Sequence, residues 1–335
     1  MIEPGQNKPK VVYIYDLGHY VNNAFANTIT RIRSSSRFLG MSPPFILQLP
    51  LGLVAQFKMP KAGICFLEGG ACLTVGVIRK ILTGAKLILR NGDPLFYILP
   101  HLHPYKRKIL EFMIRYIDGA LSDSKLSREQ ACRYTRVPNE IAYPYAEVER
   151  FLPIRPDLHS FNVFYLGVLN EFKGVDLLVD AFKLVREKFT ESTLYLCGRF
   201  LGSKELKIKI ANVEGVHVLG FHPTPEKIMV KCSVYINAAR IEPFGINVVE
   251  AMCAGLIPIV SENVGAKEMV HKLDSSLVVD LDSAKIAKKV IEIFEMPHHK
   301  KLKLSERAKE IGSRFTKERA LKDFEYKFWK VVRAA

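Results

Sequence analysis

The chain has 335 residues, of which 48% are apolar and 25% are charged. This length suits two domains of roughly 150 residues each, and the composition is that of a globular protein. No apolar run reaches the roughly 18 residues of a membrane-spanning helix, and Met1–Lys10 lacks the apolar core of a signal peptide, so we expect a cytoplasmic protein. The six cysteines form no C-x-x-C pair, which argues against a disulfide framework or a zinc site.

The net charge of +15 is unevenly distributed along the chain. Residues 1–153 carry +9, residues 154–299 carry −1, and residues 300–335 carry +7. A basic surface attracts the phosphates of nucleic acid, of anionic lipid or of a phosphorylated substrate. The alternative is a generally basic protein without such a partner.

Short β-rich runs alternate with amphipathic helical patterns, which predicts an α/β fold with doubly wound parallel sheets. In the first half the predicted strands are Val11–Tyr15, Gly63–Leu67, Lys86–Arg90 and Gly119–Leu121. In the second half they are Phe161–Gly167, Thr193–Cys197, Val216–Leu219, Ser233–Asn237, Leu256–Val260 and Ser276–Val279.

The stretch FLPIRPDLHS, residues 151–160, marks the domain boundary, because it places two prolines between a helical segment and a new strand. We expect an N-terminal domain at 1–153, a second domain at 154–310, and an amphipathic terminal helix within 311–335. In doubly wound sheets ligands bind beyond the carboxyl ends of the strands, so the turns there are the places to look for chemistry.

One such turn lies in ARIEPFGINVVEAMCAGLIPIVSE, residues 239–262, with Glu242 before it and Glu250 after it. The pattern predicts a helix at 246–254 with a left-handed cap at Gly255. Amides at the start of such a helix favour anions or sugar hydroxyls. A carboxylate one turn further on can accept two hydrogen bonds from a vicinal diol. The alternative is that both glutamates are ordinary helix-end or surface charges.

A second turn lies in FYLGVLNEFKGVDLLVDAF, residues 164–182, where Lys173 and Gly174 follow a predicted strand. A lysine at the carboxyl edge of a sheet can neutralise a phosphate, although a surface lysine is the simpler interpretation. The helix that follows has an apolar face at helical spacing, formed by Val175, Leu178, Val179, Phe182 and Val185.

Together the two stretches resemble the retaining glycosyltransferases of the GT-B fold, in family 4. The family signature, E-x7-E followed by A-M-A-x-G-x-P, corresponds here to Glu242–Pro258, and the family element with K-G-x-D corresponds to Gly167–Phe182. The resemblance covers residues 110–270 well and residues 1–110 in outline. It implies two Rossmann-like domains facing across a cleft, with acceptor binding in the first, donor binding in the second, and a C-terminal helix that returns to the first.

The resemblance also implies roles for single residues. Glu250 would bind the ribose hydroxyls, Glu242 would lie near the donor sugar and its reacting carbon, and Lys173 would neutralise the diphosphate leaving group. The amides that hold sugar hydroxyls and phosphate oxygens would be those of Phe244, Gly245, Ile246 and Asn247. The donor site would further include the glycine before the lysine loop and the pair that borders the nucleobase, namely Gly167, Gly220 and Phe221.

The chain departs from the family pattern on the diphosphate and acceptor sides. Val168 replaces the arginine that accompanies the lysine, and Arg199 in the turn after the next strand is a possible substitute. On the acceptor side, the N-terminal glycine loop retains only Gly18, and the usual His-Asp pair is reduced to Asp93. Glu68 in LEGGACL either contacts the acceptor or belongs to a simple tight turn.

Two other features have ordinary explanations as well as functional ones. His101 and His103 could suggest a metal, but no carboxylate or cysteine cluster accompanies them, so surface histidines are the preferred interpretation. The segment 103–117 is a basic amphipathic helix, expected to be buried on its apolar face, with membrane contact as the alternative.

The sequence therefore predicts an enzyme, a glycosyltransferase that moves a sugar from a nucleotide diphosphate sugar to an acceptor with retention of configuration. The basic ends suggest a lipid-linked or phosphorylated acceptor and a peripheral position at the inner membrane face. No cofactor or metal is expected, because Lys173 and helix amides can take over the role of a metal, and no nucleic-acid partner is expected. The alternatives are a nucleotide-sugar epimerase and a non-catalytic sugar-nucleotide-binding protein.

Overall fold

The computed structural model of the chain describes residues 10–15, 29–33, 53–54, 56–57 and 59–335. The chain divides into two compact units, one of Met1–Tyr143 with Ala320–Ala335 and one of Pro144–Arg319. These limits differ from the expected boundaries at 153/154 and 310/311. The reason for the first difference is that the segment before residue 153 is bonded into the second unit, where the amide of Ala146 donates to the carbonyl of Phe315 at 2.9 Å.

The described strands of the first unit form one parallel sheet in the order β2-β1-β3-β4-β5-β6. They are β1 (Val11–Tyr15), β2 (Ile29–Arg33), β3 (Ile64–Glu68), β4 (Lys86–Asn91), β5 (Gly119–Ser122) and β6 (Asn139–Ile141). The sequence predicted four of these strands and missed the two at the edges, β2 and β6.

The helices of the first unit cover both faces of its sheet. They are α1 (Leu73–Thr83), α2 (Leu95–Ile98), α3 (Pro104–Ile114), α4 (Lys125–Cys132) and most of the terminal helix α13 (Lys317–Ala334). The terminal helix buries Phe324, Phe328 and Trp329 in one cluster with Tyr13 and Phe66. The expected return of the C-terminal helix to the first domain is therefore confirmed, although the helix begins six residues later than 311.

Helix α3 has the predicted basic and amphipathic character. Arg107 and Glu111 form an ion pair at 2.7 Å on successive turns, while Met113 and Ile114 are buried. Two large side chains remain outside the core, since Tyr105 is 67% and Phe112 is 53% exposed. None of the helices in the described ranges is long and apolar enough to cross a membrane.

The second unit contains another parallel sheet, in the order β12-β11-β10-β7-β8-β9. Its strands are β7 (Asn162–Leu166), β8 (Thr193–Cys197), β9 (Val216–Gly220), β10 (Val234–Asn237), β11 (Ile257–Ser261) and β12 (Val278–Val279). The strand predicted at Ser276–Val279 is shorter than expected. The side chain of Asp274 accepts a hydrogen bond from the amide of Ser276 at 2.8 Å and thereby caps a 3-10 turn at Ser275–Leu277.

The helices of the second unit are α5 (Val148–Phe151), α6 (Val175–Lys188), α7 (Lys204–Ala211), α8 (Glu226–Met229), α9 (Ile246–Ala254), α10 (Lys267–Leu273), α11 (Ser283–Glu295) and α12 (His298–Gly312). The predicted apolar face of α6 is buried. Helix α9 has the predicted limits, and Gly255 ends it in the left-handed conformation with φ of 85°. Both predicted strand-turn-helix segments are therefore present.

Candidate functional site

Lys173 and Glu242 meet at the carboxyl edge of the second sheet. Lys173 lies in the loop after β7, Glu242 lies in the loop after β10, and the two strands are hydrogen-bonded neighbours. The lysine Nζ lies 2.5 Å from Glu242 Oε2, and the two side chains are 27% and 19% exposed. The structure thus brings together the two residues that the sequence singled out for chemistry, although they are 69 positions apart.

Arg240 connects the loop after β10 with the loop after β7. Its guanidinium donates two parallel hydrogen bonds to the carboxylate of Asp176, both at 2.7 Å, and it also donates to the carbonyl of Glu171. The amide of Arg240 donates to the carbonyl of Phe172 at 2.9 Å. Arg240 was not identified from the sequence, yet it had a local signal: the residue precedes Glu242 by two positions, and Asp176 follows Lys173 by three.

Asp176 is ionised under this arrangement. Burial disfavours its carboxylate, but the hydrogen bonds and charge of Arg240 outweigh that cost, so the pKa of Asp176 lies below its ordinary value. A bidentate pair of this kind fixes both position and orientation. The pair therefore holds the lysine loop and the glutamate loop in one geometry.

Gly174 makes the close contact between these loops possible. It has φ of 67°, and a Cβ atom built on it would lie 1.8 Å from the carbonyl oxygen of Ala238. Only glycine fits both conditions without displacing the backbone. A glycine directly after Lys173 is thus required for the lysine loop to lie next to the end of β10.

The turn into α9 has the predicted glycine at the start of the helix. Gly245 is the left-handed N-cap with φ of 89°, and a Cβ there would lie 3.0 Å from Glu242 Cγ. The side-chain amide of Asn247 donates to the carbonyl of Leu166 at 2.8 Å, which fixes the helix start against the end of β7. The first amides of a helix have no intrahelical acceptor. In α9 the amide of Val248 donates to the carbonyl of Gly245 at 3.0 Å, so the amides of Ile246 and Asn247 are the ones that an anion or a hydroxyl could use.

The segment around Glu242 is also held from its other side. The amide of Glu242 donates to the carbonyl of Asn263 at 3.0 Å, and its carbonyl accepts from the amide of Gly265 at 2.9 Å. The amide of Ala266 donates to the carbonyl of Phe244 at 2.7 Å. The Phe244 side chain is buried. The backbone of the turn is therefore fixed at several points, as precise placement of a reacting group requires.

Glu250 lies one turn into α9, half-buried and close to α5. Burial raises the pKa of this carboxyl to about 7, the nearby charge of Glu147 adds to the increase, and Arg150 opposes it. Arg150 is itself shared between Glu147 at 3.0 Å and Glu226 at 2.8 Å. Glu250 is thus a carboxyl group that changes charge near neutral pH.

The loops after β7 and β8 pack tightly together. A Cβ on Gly198 would lie 1.7 Å from the carbonyl oxygen of Gly167. Next to this contact, the buried Tyr165 donates its hydroxyl to the carbonyl of Val168 at 2.8 Å. Arg199 has an exposed side chain, and its carbonyl accepts from the amide of Leu169 at 2.9 Å. The backbone of Arg199 is therefore fixed beside the lysine loop while its guanidinium faces solvent.

The two residues expected at the nucleobase lie at the carboxyl end of β9, the edge strand of the second sheet. Gly220, the last residue of β9, has φ of 66°, and a Cβ atom built on it would meet no atom within 4 Å. Phe221 follows with 81% of its surface exposed. An exposed phenyl ring beside an open backbone offers a flat surface on which a base can stack.

The expected acceptor-side residues of the first unit also lie at a carboxyl edge, that of the first sheet. Glu68 ends β3 and accepts a hydrogen bond from the hydroxyl of Tyr13. Asp93 follows β4 and accepts from the amide of Gly70 at 2.7 Å, while burial raises the pKa of its carboxyl. Gly18, the third residue expected here, lies outside the described residues.

A buried ion pair at the same edge was not predicted from the sequence. Arg90 Nε lies 3.3 Å from Asp123 Oδ1. Burial raises the pKa of Asp123, and the charge of Arg90 opposes that change. Nothing in the local sequence indicated this pair, because its members lie at the ends of two strands that only the sheet brings together.

The second unit therefore offers a lysine, a carboxylate and a helix start at the end of one sheet, a combination suited to an anionic leaving group. Within the described chain, no group of three or more His, Cys, Asp or Glu residues is arranged to hold a metal ion.

Comparisons with known proteins agree with this arrangement. Residues 154–312 match the family described as Glycosyl transferases group 1. An uncharacterized glycosyltransferase of Methanocaldococcus jannaschii is 26% identical over 245 residues, which is 70% of this chain and 63% of that protein. EpsD of Bacillus subtilis (strain 168), a glycosyltransferase by name, is 24% identical over 52% of this chain and 50% of its own length. The chain thus spans between half and two thirds of these two relatives.

Solved structures resemble nearly the whole chain. HepE of Anabaena, crystallised with UDP and glucose, has a TM-score of 0.77 at 17% identity, with 96% of this chain and 100% of that chain covered. A sucrose-phosphate synthase of Thermosynechococcus elongatus has a TM-score of 0.78 at 14% identity, with 97% and 100% covered. This likeness confirms the predicted GT-B fold. The family match, at residues 154–312, lies within the second unit, whereas the structural likeness covers nearly the whole chain.

Proposed function

We propose that this protein is a glycosyltransferase that transfers a sugar from a nucleotide diphosphate sugar to an acceptor with retention of the anomeric configuration. The observation that carries the proposal is the contact between Lys173 and Glu242 beside the start of α9. The match of residues 154–312 to the glycosyl transferases of group 1 supports sugar transfer in general. HepE, a protein of similar fold, has been crystallised with UDP-glucose, which supports a nucleotide sugar as the donor.

In the proposed reaction, the bond between the anomeric carbon and the diphosphate oxygen breaks and its electron pair leaves with the diphosphate. The acceptor hydroxyl forms the new bond to the same carbon, and its proton passes to the departing phosphate. Lys173 and the first amides of α9 stabilise the negative charge that grows on the leaving group. No cofactor or metal enters this scheme.

Donor binding changes the partners of Lys173. In the free protein its ammonium is paired with Glu242, whereas a bound diphosphate offers it a second, more highly charged partner. Glu242 then faces the sugar ring, where its carboxylate accepts hydroxyl hydrogen bonds and lies beside the positive charge that develops at the anomeric carbon. Glu250 accepts hydrogen bonds from the ribose diol, and Phe221 stacks on the base.

The acceptor is proposed to be lipid-linked or phosphorylated and to be reached at an anionic membrane surface, to which the protein binds peripherally. The support is the basic helix α3, whose lysines Lys106 and Lys108 are exposed next to exposed Tyr105 and Phe112. Cations beside apolar side chains suit an anionic interface. Sedimentation with anionic liposomes at low salt should retain the protein, and equal recovery with neutral liposomes would reject this part of the proposal.

The catalytic part is tested by replacing Glu242 with glutamine or alanine. We expect transfer to fall by about 100-fold or more while nucleotide affinity changes little, because Glu242 acts on the sugar and Glu250 on the ribose. The donor is identified first, by thermal-shift screening of uridine, guanosine and adenosine diphosphate sugars. Binding of a sugar nucleotide without turnover on any acceptor would instead indicate a non-catalytic binding protein.

A further inference from the structure

A basic pocket lies at the amino edge of the first sheet, at the opposite ends of its strands from Glu68 and Asp93. Its volume is about 430 Å³, and it is lined by Lys10, Lys61, Ala62, Gly63, Arg79 and Thr83. Lys10 immediately precedes β1, and Gly63 immediately precedes β3, its neighbour in the sheet. The pocket is thus separate from the strand ends to which the glycosyltransferase chemistry is assigned.

Arg79 is the buried cation among the residues that line this pocket. The residue is only 6% exposed. One terminal nitrogen donates to the carbonyl of Pro60 at 2.6 Å, while its Nε is buried without an acceptor. Among the described residues, no carboxylate forms an ion pair with it. Buried guanidinium groups are normally paired with an anion, since an uncompensated charge away from water is costly.

The two lysines add to this unbalanced charge. Lys10 and Lys61 are both exposed at the pocket, and no aspartate or glutamate is among its lining residues. Lys10, Lys61 and Arg79 together supply three positive charges in a space large enough for a small ligand. Arginine offers a planar pair of donors to an oxyanion, and flexible lysines add point charges around it.

We propose that this pocket binds a phosphate group, carried by a small soluble molecule or by a lipid head group. A phosphate close to two negative charges would balance most of the charge of the pocket. The pocket is a binding site additional to the donor and acceptor sites, and it does not depend on the proposed transfer reaction. A ligand there would contact the amino ends of β1 and β3, and the carboxyl end of β3 carries Glu68, the hydrogen-bond partner of Tyr13 in β1.

The test compares a pocket variant with a charge-matched control. The pocket variant is Lys10→Ala with Lys61→Ala, two exposed positions at which truncation leaves the core intact. The control is Lys183→Ala with Lys207→Ala, two exposed lysines of α6 and α7 that remove the same charge from the second unit. Calorimetric titration with inorganic phosphate at constant ionic strength measures the soluble form of the ligand. Flotation with phosphatidylcholine vesicles, with and without phosphatidic acid, measures the lipid form.

We expect the wild-type chain and the control to bind one of the two probes alike, and the pocket variant to bind it at least tenfold more weakly. Loss of phosphate binding in the pocket variant assigns the site to a soluble ligand. Loss confined to phosphatidic acid vesicles assigns it to a head group. If neither probe binds the wild type, or if the control loses as much as the pocket variant, the proposal is wrong.

Discussion

Arg240 and Asp176 are joined by two parallel hydrogen bonds of 2.7 Å across the two loops that carry Glu242 and Lys173. Neither residue of this pair is proposed to touch the substrate. Its effect is geometric, because it holds a cation and a carboxylate of the site at a fixed separation. The contact accounts for how residues in loops, which are usually the more mobile parts of a domain, can be positioned for chemistry.

The first prediction concerns the two parallel hydrogen bonds that the guanidinium of Arg240 donates to Asp176. Arg240→Lys keeps the positive charge but loses the paired donors, so we expect kcat to fall up to about 100-fold while the free energy of unfolding changes by about 1 kcal/mol or less. Steady-state kinetics and urea denaturation measure the two effects. Arg314→Lys, in an exposed pair with Glu310, is the control and should change neither. An unchanged kcat in Arg240→Lys would show that the pair is only structural.

The second prediction concerns Lys173. Lys173→Ala should lower turnover by about 100- to 1000-fold, since one stabilising donor is lost as charge develops on the diphosphate. It should also weaken the binding of the nucleoside diphosphate of the identified donor more than that of the bare nucleoside, because only the former carries the diphosphate. Lys183→Ala, an exposed lysine of α6, is the control. Equal weakening of the two ligands would exclude the proposed contact with the diphosphate.

The third prediction concerns Glu250 and pH. Its pKa is about 7 in the folded protein, above its ordinary value of 4.5. The folded protein therefore binds this proton more tightly than the unfolded protein does. The resulting gain in the free energy of unfolding is complete below pH 4.5 and is lost as pH rises through 7. At pH 8 the loss is at most about 3 kcal/mol. Glu250→Gln removes the titration, so the difference in unfolding free energy between pH 5 and pH 8 should be smaller than in the wild type.

The raised pKa of Glu250 also predicts how nucleotide binding depends on pH. The ionised carboxylate accepts both hydrogen bonds of the ribose diol better than the protonated form does. The affinity of the wild-type protein for the nucleotide should therefore increase as pH rises through about 7. Titrations at pH 5.5, 7 and 8.5 measure the trend. In Glu250→Gln we expect weak binding without this pH dependence. A wild-type affinity that is flat over this range would contradict the assignment of Glu250 to the ribose.

The fourth prediction compares two glycines with φ near +70°. Gly174→Ala places a Cβ 1.8 Å from the carbonyl oxygen of Ala238, whereas Gly84→Ala meets no atom within 4 Å. Gly84→Ala should cost about 1 kcal/mol for its left-handed conformation alone. Gly174→Ala should cost more, about 3 kcal/mol, and should also reduce transfer because Lys173 is displaced. Similar unfolding free energies for the two variants would rule out the steric argument.

Local patterns were sufficient to predict most of the second sheet and the two strand-turn-helix segments that form the candidate site. The limits of β8 and α9 were predicted correctly, because alternating or helical apolar residues were bounded by glycines at turn positions. The strand β6 was missed because Asn139–Ile141 is short and begins with residues of low β propensity. Only its pairing with β5 makes it a strand.

The contacts that organise the site could not be predicted in the same way. Sheet topology marked the turns of Lys173 and Glu242 as places to look for chemistry, and the family resemblance assigned the two residues to one site. The pair of Arg240 and Asp176 connects positions 64 apart, and the choice of partner depends on side-chain directions that no local pattern contains. The buried guanidinium of Arg79 was missed for the same reason.

The bond between Arg240 and Asp176 also limits how this domain can be rebuilt. A chimera that imported the segment 239–250 from a relative without residues 170–176 would leave one half-buried charge of the pair without its partner and would lose the steric match between Gly174 and Ala238. We infer that these two segments form one exchangeable module. Exchanging this site with that of a related protein therefore requires that both segments be transplanted together.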